Sequence, residues 1–214
     1  FKYYYAPSHT KLYEARNLAI SNAQGDLLSF LDTDDYWFPN KISSQVPLFD
    51  ISKVGIVYSN YTISDEIHSL KYEAKSKLYK GNITSQLLKE YFIGLLTLMI
   101  RKEAFDTIEQ KFDSNLQIIG DLDLTVRLSE QWEGDFSERN LAICRKHGEN
   151  LLIKESGSNI KELIYWQKKI SNTKNIVNSK GYYYFTQNTL YLNVKQNTED
   201  KKILLSINNH EVLI

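Results

Sequence analysis

An α/β fold, a mostly parallel sheet flanked by helices, is what the sequence predicts, and three observations carry it. Apolar runs of strand length recur at 27–31 and 54–58, continuous rather than alternating, as in strands buried on both faces. Segments of helical period separate them. The first run stops abruptly in Asp32-Thr-Asp-Asp35, as expected where a parallel strand opens at its carboxyl end into a site.

The elements follow in order. Residues 2–6 are short, aromatic and closed by Pro7, the pattern of a strand leaving a sheet. Leu12, Ala15, Leu18, Ala19 and Ala23 recur at helical spacing, with Thr10 or Ser8 as a cap and Gly25 as a stop. After the strand at 27–31, Pro39 suits the first turn of a helix over 40–49. Strand 54–58 precedes a polar stretch, 61–80, read as edge strands or loop. A helix at 83–91, a strand at 95–101 and a short helix at 103–110 come next. Acids open a helix at 121–131, where they favour the positive end of its dipole, and 136–144 returns as a strand. The composition changes after His147, and a boundary near 152 separates a core, 1–152, from an extension, 153–214. Leu163, Ile164, Trp166, Gln167 and Ile170 predict an amphipathic helix there. Segments 182–194 and 200–212 read as a helical hairpin, although their β-branched and aromatic residues leave strands open.

Composition removes several function classes. The 214 residues are 42% hydrophobic and 24% charged, enough for one large domain or one domain with an appendage. Lys and Arg number 26, as do Asp and Glu, so no net field exists to hold nucleic acid or an anionic membrane surface. Any phosphate contact must be local. The single cysteine, Cys144, excludes an internal disulfide and a cysteine zinc site. The longest apolar stretch, 91–100, is about half of a membrane span.

The acidic cluster is the strongest chemical signal. On an extended strand, positions 32 and 34 face the same side, so two carboxylates converge as a hard divalent cation or substrate hydroxyls require. A solvated turn with an Asp cap competes with that reading. Tyr36, Trp37 and Phe38 supply either a wall for the site or core packing.

The run ARNLAISNAQGDLLSFLDTDDYWFPNKI at 15–42 closely resembles the core of family 2 nucleotide-sugar glycosyltransferases of GT-A fold, with their Ala-Arg-Asn helix and Asp-x-Asp-Asp motif. Two further blocks, LLTLMIRKEAFDTIEQKFDSNLQIIGDLDLTVRLSEQW and AICRKHGENL, resemble later parts of the family in the same order. The resemblance covers roughly residues 1 to 152. It implies a nucleotide-diphospho-sugar donor, a glycan or lipid-linked acceptor, and inverting displacement assisted by Mn2+ or Mg2+. Asp32 matches the acid near the donor's ribose, and Asp34 the metal ligand, with Asp35 behind it or as an alternate. His147 matches a histidine that contacts metal or diphosphate in some members. Arg16 matches the motif arginine, which binds nucleotide or orders the acidic loop; a surface salt bridge with Glu14 or Asp26 is its plain alternative. The general base matches Asp121. The family's acid before it is replaced by Gly120, and Asp123 reads as an acid serving the helix dipole.

The resemblance also implies two earlier βα units, so these residues are expected to begin at the family's third strand. A longer parent enzyme or a second chain completing the sheet follows from that expectation. A non-catalytic GT-A module acting in binding or assembly is the alternative, with a homo-oligomer formed through the exposed edge. The cytoplasm, with peripheral contact at the inner membrane face, is the expected location.

Overall fold

A computed structural model describes residues 2–5, 8, 10–148 and 158–197. The elements are α1 (Leu12–Asn22), β1 (Leu27–Ser29), β2 (Tyr36–Trp37), α2 (Lys41–Gln45), β3 (Val54–Asp65), β4 (Leu70–Ala74), α3 (Thr84–Lys89), β5 (Met99–Arg101), α4 (Lys102–Asp106), α5 (Gly120–Ser129), β6 (Glu133–Lys146), α6 (Ser158–Ile170), α7 (Lys174–Val177) and α8 (Lys180–Asn197). Short 3-10 turns at Val46–Asp50 and Leu95–Thr97 lead into β3 and β5. The sheet runs β1-β5-β3-β6-β2, with β4 paired to β3.

The α/β class stands, and the sheet is mixed. Among the described residues only β3 and β6 pair in parallel; β1 with β5, β5 with β3, β4 with β3 and β2 with β6 are antiparallel. A continuous apolar run reports burial of both faces and is silent on direction. In β3, Ile56 and Tyr58 face the main core, while Val57 joins Phe49, Val54 and Met99 in a smaller cluster. Both faces are covered, which is why the run does not alternate.

Residues 2–5 form no strand, and Tyr3 and Tyr5 are exposed; among the described residues no neighbour supplies the ladder that a strand there requires. The first helix forms as expected, with a different buried face. Leu12, Ala15 and Ala19 are exposed, and Tyr13 is the residue it buries. Its start is satisfied by Glu14, which accepts the Lys11 N–H at 3.1 Å, rather than by Thr10 or Ser8. Asn17 and the Phe112 backbone exchange two hydrogen bonds of 2.9 Å, and these two bonds tie the polar side of α1 to the loop before α5.

The excursion at 61–80 contains the end of β3 and the edge strand β4, as one of its two readings held. The boundary near 152 and the segment 200–212 lie outside the described residues. The helices at 158–197 pack on the core: Trp166 is fully buried, edge-on to Phe185 at 5.0 Å.

Candidate active site

The turn after β1 carries the acids. Asp32 and Asp34 do not share a strand face: β1 ends at Ser29, and the Asp35 N–H donates to the Asp32 carbonyl at 3.1 Å, closing a β-turn. Three carboxylates on so short a segment repel one another, and each is met by a different part of the chain. Arg16 from α1 reaches both oxygens of Asp32, at 2.7 and 2.9 Å. The guanidinium also lies over the rings of Tyr13 and Phe112. Its partner is thus Asp32, not Glu14 or Asp26, and the bond orders the acidic turn. His147 Nε2, just past β6, and Asp34 Oδ2 are hydrogen-bonded at 2.8 Å. Asp35 accepts the Arg145 N–H at 3.0 Å. Burial pushes the Asp35 carboxyl above the usual carboxylate range, the Arg145 N–H opposes this, and the charges of Asp34 and Asp32 add to the rise.

These acids open on a cavity of about 380 Å3 that Arg16, Asp32, Asp34, Asp35 and Asp121 all line. Acids from 32–35 and a carboxylate nearly ninety positions later thus meet at one cavity. Sequence reasoning missed Tyr13, Tyr61, Gln117 and Cys144, which also line it. A tyrosine or glutamine outside any motif carries no signal of its own. Burial pushes the Cys144 thiol up to about 12, and the Asp35 charge adds to the shift, so it is no nucleophile at neutral pH.

Asp121 sits in the first turn of α5, where its Oδ1 accepts the Leu122 N–H at 3.0 Å. Burial pushes its carboxyl up to about 6, although the helix-start N–H groups and the Arg16 charge pull the other way. That places it in the range suited to proton transfer near neutrality.

Gly120, where the resemblance leads one to expect an acid, has a physical explanation. A Cβ there would lie 2.4 to 2.8 Å from the Tyr13 ring. The Tyr13 hydroxyl accepts the Gly120 N–H at 2.9 Å and donates to the Ile118 carbonyl at 3.2 Å. The aromatic ring occupies the space that a second acid would need.

Asp123 is not an exposed acid serving the dipole. It is fully buried; Arg127 binds its Oδ2 through Nε and Nη2 at 3.0 and 2.6 Å, and Trp166 Nε1 and Lys169 Nζ bind its Oδ1 at 2.9 and 3.1 Å. All its contacts are structural, and none faces the cavity.

For a divalent cation, Asp34 and His147 offer one carboxylate and one imidazole in contact; the carboxylate oxygens suit Mg2+ or Mn2+, and the imidazole suits a transition ion better than Mg2+. Among the described residues no three His, Cys, Asp or Glu side chains converge.

The α/β fold thus carries an acid-lined cavity, and likeness to known proteins gives the family. The model of glycosyl transferase family 2 matches residues 1–108, half of the chain, so the chain belongs to glycosyl transferase family 2. That match includes the acidic turn and ends before Asp121 and His147. Similar proteins include the Escherichia coli UDP-Glc:alpha-D-GlcNAc-diphosphoundecaprenol beta-1,3-glucosyltransferase WfaP, 46% identical over 52 residues, or 24% of this chain and 21% of that protein. Another, WfgD of the same species and activity, is 33% identical over 87 residues, 40% of this chain and 33% of that one. An uncharacterized glycosyltransferase of Rickettsia conorii is 28% identical over 198 residues, 88% of this chain and 32% of its own. The chain thus spans about a third or less of these relatives' length. The crystal structure of S. aureus TarS 1-349 superposes with a TM-score of 0.57 at 12% identity, over 85% of this chain and 52% of that one, a likeness of fold.

Three outcomes are expected. Gly120→Glu should destabilise the chain by about 1 to 3 kcal/mol through overpacking, and by clearly less in a Tyr13→Ala background; urea denaturation of the four variants reads the coupling. Asp123→Asn should cost about 3 to 5 kcal/mol, as expected for breaking a buried ion pair, rather than the few tenths of a dipole contact. For Asp121, a folded value near 6 exceeds the unfolded value near 4, so the fold binds the extra proton between them. Its contribution to stability is full below about pH 4 and lost as pH rises through 6. Asp121→Asn should then match wild type near pH 4 and exceed it by about 1 kcal/mol or more at pH 8; equal differences at both pH values would contradict the shift.

Proposed function

We propose that this chain is the donor-binding and catalytic portion of an inverting glycosyltransferase that moves a sugar from a nucleoside diphosphate to an acceptor hydroxyl. The convergence of Asp32, Asp34, Asp35, Arg16 and Asp121 on one cavity carries this reading. In it, residues 1–152 form the core and 153–214 an extension.

Each group has a task set by its surroundings. Asp32, held by Arg16, accepts hydroxyls of the donor's ribose. Asp34 and His147 would hold a divalent cation such as Mn2+ or Mg2+, with Asp35 behind them steadying the end of β6. A bound cation supplies positive charge against the diphosphate and the charge building on the leaving oxygen. Asp121, ionised above about pH 6, takes the acceptor hydroxyl's proton as its oxygen bonds to the anomeric carbon and the bond to the diphosphate breaks. The nucleoside diphosphate leaves with the bonding electrons.

The E. coli relatives are named for a lipid-diphosphate acceptor, which favours a lipid-linked acceptor for the parent protein and work at the inner membrane face. Among the described residues no helix is long and apolar enough to cross a membrane.

In the full-length protein, Asp34→Asn and Asp121→Asn should each lower sugar transfer by roughly 100-fold or more. Asp121→Asn should leave donor affinity near normal, since the group acts on the acceptor's proton. Coupled release of nucleoside diphosphate measures both. Wild-type turnover by both variants would overturn these residue roles, whereas absence of turnover by the unaltered full-length protein would leave the non-catalytic binding module as the reading.

A further inference from the structure

The cavity wall that presents Asp121 is held from behind by a helix outside the region of family resemblance. Glu162, on α6, accepts three successive backbone N–H groups: Gln117 at 2.8 Å on Oε1, and Ile118 and Ile119 at 2.9 and 3.1 Å on Oε2. These residues lead directly into α5, and Gln117, Ile118 and Asp121 all line the cavity. The helix has no side-chain cap of its own, because Ile119 occupies the N-cap position. An ionised carboxylate bound to consecutive N–H groups makes charge-assisted bonds, stronger than neutral ones. Glu162 thus fixes, from another element, the N-cap residue and the two residues before it, while the Leu122 N–H is taken by Asp121 itself.

The same helix face does more. Glu162, Trp166 and Lys169 are spaced i, i+4 and i+7, so they share one side of α6. Trp166 and Lys169 bind Asp123, and Lys169 also binds Asp113 at 2.8 Å. The loop 113–119 and the first turn of α5 are therefore gripped at Asp113, at 117–119 and at Asp123. Tyr13 takes the Gly120 N–H from the other side. With those donors satisfied elsewhere, the Asp121 carboxylate stands at the cavity with a fixed backbone beneath it.

We propose that Glu162 is a positioning residue: α6 is a working part of the site, and its carboxylate holds residues 117–119 so that Asp121 meets the acceptor hydroxyl. This rests on the assignment of Asp121 as base. A carboxylate displaced by about 1 Å from its reacting partner can lose a hundredfold in rate, without any change in the donor's contacts with the acidic turn.

The test uses the full-length protein and compares wild type, Glu162→Gln, Lys161→Ala and Asp121→Asn. Glutamine keeps the length of the side chain and removes the charge; Lys161 is the exposed neighbour and serves as the control. Glu162→Gln should lower kcat by about 10-fold or more, leave the donor KM within about twofold, and speed hydrogen exchange of the 117–119 amides by about 10-fold or more. Lys161→Ala should match wild type in all three. Unchanged kcat, or unchanged exchange at 117–119, overturns the inference, as does a donor KM that rises in step with the loss of rate. If Asp121→Asn keeps full turnover, the base assignment falls and the role of Glu162 falls with it. If Asp121→Asn is inactive and Glu162→Gln fully active, only the present inference fails.

Discussion

Three carboxylates within four residues are the constraint to which the rest of the site answers. Asp32, Asp34 and Asp35 repel one another, and a β-turn keeps them close. Each therefore needs compensation, and the fold provides it from distant segments: Arg16 of α1, the Arg145 N–H at the end of β6, and His147 just beyond. The parallel ladder of β3 with β6 makes the last two available. It runs from Val54 opposite Glu133 to Asp65 opposite Lys146, through three register shifts, and carries the end of β6 past the acidic turn. Beyond the turn, Asp65 and Glu66 bind Lys146 and Arg145 in their own ion pairs, which steadies the same strand end.

The sequence made the acidic cluster and its place after a buried run legible, because chain order and charge carry that information, but it put Asp32 and Asp34 on one strand face where the chain forms a β-turn. Asp34 and His147 are 113 positions apart, and only resemblance to a family links them in the sequence; in the fold they are hydrogen-bonded at 2.8 Å. Strand direction was not legible, since burial on both faces looks the same in parallel and antiparallel ladders. The face of α1 was misread for a related reason. Small apolar residues such as Ala15 and Ala19 fit a helix surface as well as a core, while Tyr13, counted as nothing, is buried by Phe112 at 5.0 Å and by Gly120.

Glu162 and Asp123 show the other limit. Both are acids on helices, and by composition each is a solvated charge. What separates them from a surface residue is the partner, and a partner 40 or more positions away leaves no local trace. The apolar period of α6 includes Leu163, Ile164, Trp166 and Ile170, yet on the face that matters for the site Trp166 is flanked by Glu162 and Lys169, which the period does not contain. Polar side chains that bind backbone or buried charge do not enter a hydrophobic period, so the reading was structurally blind to them.

The part of the cavity lining at Leu95 is built on the same principle with the signs reversed. Leu95 lines the cavity, and the carbonyls that follow it are each taken by a side-chain donor: Leu96 by Trp37 Nε1 at 2.7 Å, Thr97 by Gln45 Nε2 at 2.8 Å, and Leu98 by the Ser29 hydroxyl at 2.6 Å. Behind them Lys41, fully buried, donates to Ser29 at 3.1 Å and to Gln45 at 2.7 Å, and its ammonium lies 4.4 Å from the Trp37 ring centre. Burial lowers the Lys41 ammonium to about 8, so the charge is held at a cost that only satisfied acceptors on every side can offset. One wall has a buried cation whose acceptors in turn hold carbonyls; the other has a carboxylate that takes amides. In each case irregular backbone, which supplies no ladder of its own, is fixed by a charged group from a neighbouring helix, and that is what allows two short loops to shape a cavity around mutually repelling acids.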